Sequence, residues 1–417
     1  MTSDVLAPLT KRGVPIDPTL RTLAVGTFVN RAGSGALVTV FALYFTRKVG
    51  LEPSQVGLAL SIGAFVGMLT QVPLGHLGDV RGPREVMRAL TVAAGCISLL
   101  LLVTRNFLLL ILVMSVLTGF EAGSNGVRNG YIARIASGGQ GVRFKAYLRA
   151  ITNVAIGLGA LLGGLALAVD QSWAYLSVMA LDGLGSIGAG LLYVSLPHVA
   201  PAPPTAEGEP RMAVLHDLPY VVVTFLAGIM AMHFIVIEVG IPLWIATHTA
   251  APKSMVALLL VLNTAAVAIF QVRLARGSET VMASVRLAIV GAGFIATGFA
   301  IISFADGVGR NAAIAILVLG SVVHVIGEML SSGASWGVSM GLAPVERQGQ
   351  YQGFAGLGFS VANVAAPTLT TVLCIEWGRP GWFILGGLIF GAALLNKPVC
   401  AWALRTREQY GAATASG

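Results

Sequence analysis

The sequence predicts an all-α integral membrane protein with twelve transmembrane helices in two six-helix halves. Of its 417 residues, 56% are hydrophobic and only 11% are charged, against about 25% charged in an ordinary soluble domain. Apolar stretches of roughly 20 residues, long enough to cross a bilayer as helices, recur along the chain, and a polar Pro-rich segment divides them evenly. This composition disfavours soluble enzymes, and no cluster of Lys and Arg is dense enough for nucleic-acid binding.

The predicted spans follow directly from the positions of the apolar stretches. In chain order they are 20–46, 55–76, 86–104, 107–133, 147–169, 174–196, 218–247, 255–275, 281–304, 312–335, 351–374 and 381–404. The segment 197–216 predicts a semi-extended linker between an amino-terminal half, 20–196, and a carboxy-terminal half, 217–404. Residues 1–19 and 405–417 are predicted to be an amino-terminal segment and a tail, and the first span is expected to direct insertion without a cleaved signal peptide.

The basic residues predict the orientation of these spans. Of 26 Lys and Arg residues, 17 lie on the side of the spans that also holds both termini. Because Lys and Arg concentrate in cytoplasmic loops, we expect both termini to be cytoplasmic, in an inner or plasma membrane.

A glycine-rich loop joins the second and third spans. Its distinctive residues are Gly75, Gly78, Asp79, Gly82 and Arg84, and the pattern resembles the signature loop of the major facilitator superfamily. Glycines allow close helix contact, and the aspartate can accept hydrogen bonds from the N-terminus of a neighbouring helix and so hold one closed state. The alternative is an ordinary basic cytoplasmic turn.

The fifth span carries a second glycine pattern. Gly159, Gly163 and Gly164 resemble the antiporter motif of proton-coupled drug exporters in that superfamily, although Ala160 stands where the family has proline. The resemblance implies proton antiport. A plain packing face of small residues is the alternative.

Charged residues within the apolar spans are candidate functional residues, because a charge at mid-membrane costs at least about 2.5–3.5 kcal/mol. Five of the seven lie in spans one, four, seven and ten, which by the resemblance line the central substrate cavity. The seven are Arg31, Glu121, Arg128, Asp182, Glu238, Glu328 and Lys397.

In the amino-terminal half, helix geometry brings Arg31 and Glu121 to a similar depth, since a helix rises 1.5 Å per residue. We therefore predict an ion pair between Arg31 and Glu121, with Arg128 nearer the cytoplasm. Asn30 is predicted to line the same substrate cavity. A static pair that fixes helix packing is the alternative.

In the carboxy-terminal half, span seven holds His233 and Glu238, and span ten holds His324 and Glu328 at a spacing that puts both on one helix face. A carboxylate out of water beside a histidine is suited to proton uptake and release. The predicted proton-coupling residues are thus these four together with Glu121. A satisfied packing role is the alternative for the two histidines, and a His-Glu pair alone does not make a metal site.

Aromatic residues complete the candidate cavity. Trp244 and Trp336 are expected either to line the substrate path or to belong to the interfacial aromatic belt. Outside the four cavity helices, Asp182 ranks below the glutamates, and Lys397 is expected to reach the headgroups.

These residues favour a monomeric proton-coupled exporter of a small amphipathic or drug-like compound, of the kind associated with drug resistance, working in the bilayer with no cofactor and no metal. The alternative is proton-coupled transport of a polar or anionic metabolite. A polytopic membrane enzyme is a remote alternative, because the chain has no HExxH motif or paired acidic cluster, and a channel remains possible. The absence of a GxxxxGK[ST] motif disfavours ATP-driven transport.

Overall fold

The computed structural model of the chain describes residues 15–136, 139–203, 210 and 212–410. Parts of the predicted amino-terminal segment, linker and tail lie outside the described residues, as do three of the basic residues used for orientation. The parts of the segment, linker and tail outside the description are 1–14, 204–209, 211 and 411–417, and the three basic residues are Lys11, Arg12 and Arg211.

Twelve helices of the described chain are long and apolar enough to cross a membrane, which confirms the predicted fold class. Numbered as spans 1 to 12, they are Pro18–Lys48, Pro53–Arg81, Pro83–Leu102, Phe107–Ile135, Gly139–Val169, Ser172–Ser195, Leu218–His248, Met255–Leu274, Val281–Ser303, Arg310–Leu342, Val345–Glu376 and Arg379–Arg405. The described residues form no β-strand, and Thr249 and Asp306 form one isolated β-bridge.

Several helices run further than predicted at their basic-rich ends, the ends on the side of the spans that carries most of the Lys and Arg residues. Span 2 ends at Arg81 instead of residue 76, span 5 begins at Gly139 instead of 147, and span 10 ends at Leu342 instead of 335. Hydropathy detects only the part of a helix that matches the hydrocarbon thickness. The additional turns are more polar, and other parts of the protein pack against them.

Span 7 is an interrupted helix. It consists of Leu218–Ala231, His233–Ile235, a π-helical turn at Val236–Gly240 and Ile241–His248. Pro242 lies at the start of the last segment, where it has no N–H to donate to the carbonyl four residues earlier. The π turn at this point places Glu238 in an irregular segment, a feature common at functional sites. Further π turns end spans 1 and 11, at Tyr44–Lys48 and Thr371–Glu376.

Residue contacts divide the chain into two compact units. Unit 1 comprises Met1–Ser137, Leu148–Ala213 and Ala343–Phe354, and unit 2 comprises Gly138–Tyr147, Val214–Leu342 and Ala355–Gly417. Each unit therefore includes a short segment from the other predicted half of the chain.

The helix pairs of unit 1 recur in unit 2 with a shift of six spans. In unit 1, span 2 packs on span 4, span 3 on spans 4 and 6, and span 1 on span 6. In unit 2, span 8 packs on span 10, span 9 on spans 10 and 12, and span 7 on span 12. This repetition is the arrangement of parallel internal repeats in transporters, although the sequences of the two halves share little identity.

Candidate functional site

A polar network joins spans 1, 3 and 6 within unit 1. Asp182 is buried, with 1% of its surface exposed, and it accepts hydrogen bonds from Ser98 Oγ at 2.6 Å and from Ser34 Oγ at 3.3 Å. Beside it, Asn30 Nδ2 donates to Ser186 Oγ at 2.9 Å. These contacts satisfy a buried carboxylate with hydroxyl donors, which is the usual condition for burying a charged group.

Two arginines converge on one amide in spans 1 and 4. Arg31 Nη2 and Arg128 Nη2 both donate to Asn125 Oδ1, at 2.8 Å and 2.9 Å. The predicted ion pair between Arg31 and Glu121 is wrong in its geometry: among the described residues, no ion pair within 4 Å joins them. Arg31 reaches Asn125 instead, one helical turn beyond Glu121, although its charge still acts on that carboxylate. Helix rise alone gave the depth of the two residues and not the direction of the guanidinium.

The glycine-rich loop meets the start of the helix Gln348–Thr370 inside unit 1. Asp79 is 1% exposed and accepts hydrogen bonds from the backbone N–H groups of Gly349 at 2.7 Å and Gln350 at 2.8 Å. A carboxylate is well placed at a helix N-terminus, where free N–H groups and the helix dipole favour negative charge. Gly75 lies so close that a Cβ atom there would collide with the carbonyl of Gly349.

The other residues of the loop have local structural partners. Gly78 packs against Val127, where an added Cβ would lie 2.8 Å from a methyl group. Gly82 has φ +98°, a backbone conformation open to glycine, and it forms the junction between spans 2 and 3. Arg84 pairs with Glu85 at 2.7 Å and donates to the carbonyl of Leu196 at 2.9 Å.

The glycine pattern of span 5 is in part a packing face against span 1. A Cβ on Gly159 would collide with the carbonyl of Ala32, and one on Gly163 would lie 2.7 Å from Thr39. Gly164 has open space beside it. Close backbone contact through small residues is the interaction expected of such a pattern in a membrane bundle, and its antiporter role stays a prediction.

A second polar site lies on spans 8 and 10 of unit 2. Glu328 is buried, with 2% exposed, and its Oε2 accepts a hydrogen bond from Asn263 Nδ2 at 2.8 Å. His324, 1% exposed, stacks on Phe299 with ring centroids 5.3 Å apart and lies 5.3 Å from the ring of His233. The two predicted histidines and the carboxylate of span 10 are thus gathered in one region.

The remaining predicted residues of unit 2 lie elsewhere. Glu238 is exposed on the π turn of span 7, close enough for the charge of Glu328 to act on it. Trp244 is fully buried in the apolar core, donates to the carbonyl of Ile302 at 3.2 Å and meets Trp382 edge to face. It therefore does not line a path in this conformation.

Trp336 lies at the basic-rich end of span 10. Lys145 Nζ sits 5.8 Å above its ring, and the ring packs beside the start of span 5 and the end of span 8. The placement of Trp336 in the substrate path or in the interfacial aromatic belt stays a prediction.

Several partners could not be assigned from the sequence. Asn125 and Asn263 bind the predicted charges, whereas Ser98, Ser321 and Gly349 carry no distinguishing pattern. A polar amide within an apolar span is a usable signal for the first two. Within the described chain, no group of three or more His, Cys, Asp or Glu side chains could hold a metal ion.

Comparison with known proteins places this architecture among transporters. The family model described as Major Facilitator Superfamily matches residues 23–367. A curated relative from Deinococcus radiodurans, named "Putative sugar efflux transporter", is 30% identical over 230 residues. The match covers 52% of this chain and 56% of the relative, so the chain spans little more than half the length of that protein.

Solved structures share the fold at low sequence identity. A bacterial homologue of the iron transporter ferroportin, in an outward-facing state, superimposes with a TM-score of 0.67 at 14% identity, covering 92% of this chain and 99% of that one. The human organic anion transporter MFSD10 gives 0.65 at 14% identity, with 91% and 98% covered. The E. coli fucose:proton symporter gives 0.64 at 12% identity, with 91% and 98% covered.

Proposed function

Because the chain belongs to the Major Facilitator Superfamily, we propose that this secondary transporter exports a small amphipathic compound, sugar-like or drug-like, in exchange for protons. Alternating access would expose its central site to one side of the membrane at a time. The membrane is the cell membrane in this proposal, with both termini in the cytoplasm, as the distribution of Lys and Arg favours.

The observation that carries the proton coupling is the carboxylate of Glu328. It is buried inside an apolar span, one helical turn from His324, and Asn263 donates to it. A charged carboxylate inside an apolar span is energetically unfavourable. A proton-coupled transporter requires a group that takes up and releases a proton, and this carboxylate can serve as that group. Glu238, exposed on the irregular turn nearby, is the second candidate carrier.

Direction and substrate class have separate support. The curated relative from Deinococcus radiodurans is named an efflux transporter and a sugar transporter. The cavity next to Asn263, the residue that donates to Glu328, is lined by one amide, one hydroxyl, one imidazole and apolar side chains, which suit a neutral amphipathic molecule better than an ion. A drug-like compound fits the same description, and the glycine pattern of span 5 favours antiport.

The contact of Asp79 with the helix Gln348–Thr370 is the proposed conformational switch. The two hydrogen bonds join a loop of the amino-terminal six spans to the start of span 11. In this proposal the two bonds hold the state in which the cytoplasmic side is closed, and they break when that side opens.

A second candidate function is transport of an anionic metabolite. It is favoured by Arg31 and Arg128, whose guanidinium groups share the neutral acceptor Asn125. Two guanidinium groups that converge on one neutral amide form a place where a carboxylate or phosphate group would be stabilised.

Purified protein in liposomes with an internal pH-sensitive dye tests the proposal. The probes are D-glucose, the neutral drug-like compound chloramphenicol and the carboxylate gluconate, each loaded inside before an inward proton gradient is imposed. We expect protons to enter as D-glucose or chloramphenicol leaves. Movement of gluconate alone would favour the second candidate, and no exchange of any probe for protons would contradict the coupling.

The Glu238→Gln and Glu328→Gln variants locate the proton site in the same liposomes. We expect both to fold and to lose gradient-driven transport, while passive exchange of the probe across the membrane continues. Glu376→Gln is the matched control, because Glu376 is an exposed carboxylate at the end of span 11. Normal gradient-driven transport by both variants would overturn the assignment.

A further inference from the structure

A small cavity opens between spans 7, 8 and 10 within unit 2. Its walls are mostly apolar side chains of spans 7 and 8, and three polar side chains face it: Asn263, Ser321 and His324. The cavity volume is about 10 Å³, close to the space that one water molecule requires. Its size therefore suits a single hydroxyl group.

Two polar atoms of this cavity lack a partner among the described residues. They are His324 Nε2 and Ser321 Oγ. Both atoms are buried, and the two residues are 1% and 8% exposed. Burying a polar atom without a hydrogen bond is unfavourable, and native proteins rarely do so. Two such atoms lining one cavity indicate that a ligand group supplies their missing hydrogen bonds.

The histidine ring is held in place before any ligand binds. Phe299 stacks on it with an interplanar angle of 13°, and a Cβ on Gly298 would lie 2.9 Å from the His324 Cβ, so span 9 packs tightly on this part of span 10. A fixed ring keeps Nε2 in one position, which reduces the entropy lost on binding.

The chemistry of the lining selects a neutral group. The described residues that line the cavity include no Lys and no Arg, so the charge of an anion would stay uncompensated there. An imidazole nitrogen, a hydroxyl and an amide can each donate or accept, and a hydroxyl group, which does both, matches them.

We propose that the cavity is a hydroxyl-binding site formed by Asn263, Ser321 and His324, which takes one hydroxyl group of a neutral, polyhydroxylated substrate and holds a water molecule when substrate is absent. The substrate part rests on the proposed function. The binding of a hydroxyl group in the cavity stands on the unpartnered atoms and on the cavity itself.

The amide of Asn263 links this site to the proposed proton carrier. Its Nδ2 donates to Glu328 Oε2 at 2.8 Å, and its carbonyl oxygen is left to accept from a hydroxyl in the cavity. A hydrogen bond to that oxygen polarises the amide and strengthens the bond that it donates, which favours the ionised form of Glu328.

Binding of substrate would thus promote release of the proton, and by reciprocal linkage protonation would weaken substrate binding, as exchange in opposite directions requires. The other titratable groups that face this region are His233 and Glu238 on span 7.

A high-resolution structure of the full chain in lipid nanodiscs, without sugar, gives the first test. We expect density for one oxygen atom within hydrogen-bond distance of both His324 Nε2 and Ser321 Oγ. In Ser321→Val the added methyl groups fill the space, and the density should disappear. An empty cavity in the unchanged protein would overturn the proposal.

Binding of methyl β-D-glucoside, measured by calorimetry on the same preparation, identifies the source of the hydroxyl. Ser321→Ala is expected to weaken binding about tenfold, the effect of one lost hydrogen bond. Ser303→Ala is the matched control, because Ser303 is buried in the same unit and bonded to its own helix.

The outcomes separate the two parts of the proposal. Equal affinity of Ser321→Ala and the unchanged protein, or no binding to either, would overturn the substrate part and leave water as the occupant. Glucoside binding without any proton exchange would contradict the proposed coupling while supporting the hydroxyl site.

Discussion

Two buried polar sites, the network around Asp182 in unit 1 and the cavity between spans 7, 8 and 10 in unit 2, differ in how their polar atoms are satisfied. In unit 1, Asp182 receives hydrogen bonds from two serine hydroxyls. In unit 2, Ser321 and His324 are also buried, with 8% and 1% exposed, yet each leaves a polar atom without a partner in the described chain. A satisfied network holds helices together, whereas an unsatisfied one marks a place for a ligand. The repeated helix pairing therefore supports two different uses of the same framework.

Removing the carboxylate of Asp182 should give the largest change in stability. Asp182→Ala leaves the buried hydroxyl of Ser98 without its acceptor, whereas Ser34 keeps the carbonyl of Asn30, and we expect a cost of about 1–3 kcal/mol. Asp182→Asn keeps one acceptor oxygen and should lose less. The temperature of unfolding in detergent, followed by intrinsic fluorescence, measures both, and a stable Asp182→Ala would remove the contrast between the units.

The basic-rich ends of the helices also differ between the units: unit 1 has the buried carboxylate of Asp79 there, and unit 2 has the exposed ion pair of Arg143 and Glu279. Asp79→Asn replaces one carboxylate oxygen by an NH2 group, which cannot accept a hydrogen bond from a backbone N–H group. We expect the contact with Gly349 and Gln350 to weaken by about 2 kcal/mol. Hydrogen exchange of those two amides should become roughly 30-fold faster. Arg84→Gln, a change in the same loop, is the control, and unchanged exchange in Asp79→Asn would contradict the assignment.

Ser321→Ala should affect stability much less than Asp182→Ala. No described protein group loses a hydrogen-bond partner when the Ser321 hydroxyl is removed, so the change should stay below about 1 kcal/mol. The same unfolding measurement applies. A loss as large as that of Asp182→Ala would mean that the Ser321 hydroxyl is satisfied within the protein and would contradict the contrast between the two sites.

The smallest effect is expected at the basic-rich end of unit 2. There Arg143 Nη2 and Glu279 Oε1 form an exposed ion pair at 3.0 Å, and Glu279→Gln should cost about 0.5 kcal/mol or less. The difference should vanish at high salt, because exposed charges are screened. A salt-independent loss comparable to that of Asp79→Asn would show that the two ends are equivalent.

Much of the fold could be predicted because a bilayer imposes a simple rule on sequence. Each span must be apolar over about 30 Å, and all twelve helices were located, with errors mainly at the ends that extend beyond the apolar stretch. The interruption of span 7 lies beside Pro242, a residue that cannot donate a backbone hydrogen bond.

The sites were less predictable, because they depend on which helix faces meet. His324 and Glu328 share a face through their spacing, but the partner Asn263 comes from span 8. Likewise Arg31 had the right depth for Glu121 and reaches Asn125. Side-chain direction and helix rotation are set by packing, which no periodicity within one span contains.

The sequence by itself determined that this protein lies in a membrane with twelve helices, and that a few charged residues interrupt their apolar faces. It did so because hydrocarbon excludes unpaired polar groups. Only the tertiary structure decided which buried groups are satisfied: Asp182 is, and Ser321 and His324 are not. Hydrogen bonds between helices depend on distances of a few ångströms, and those distances exist only once the helices have packed.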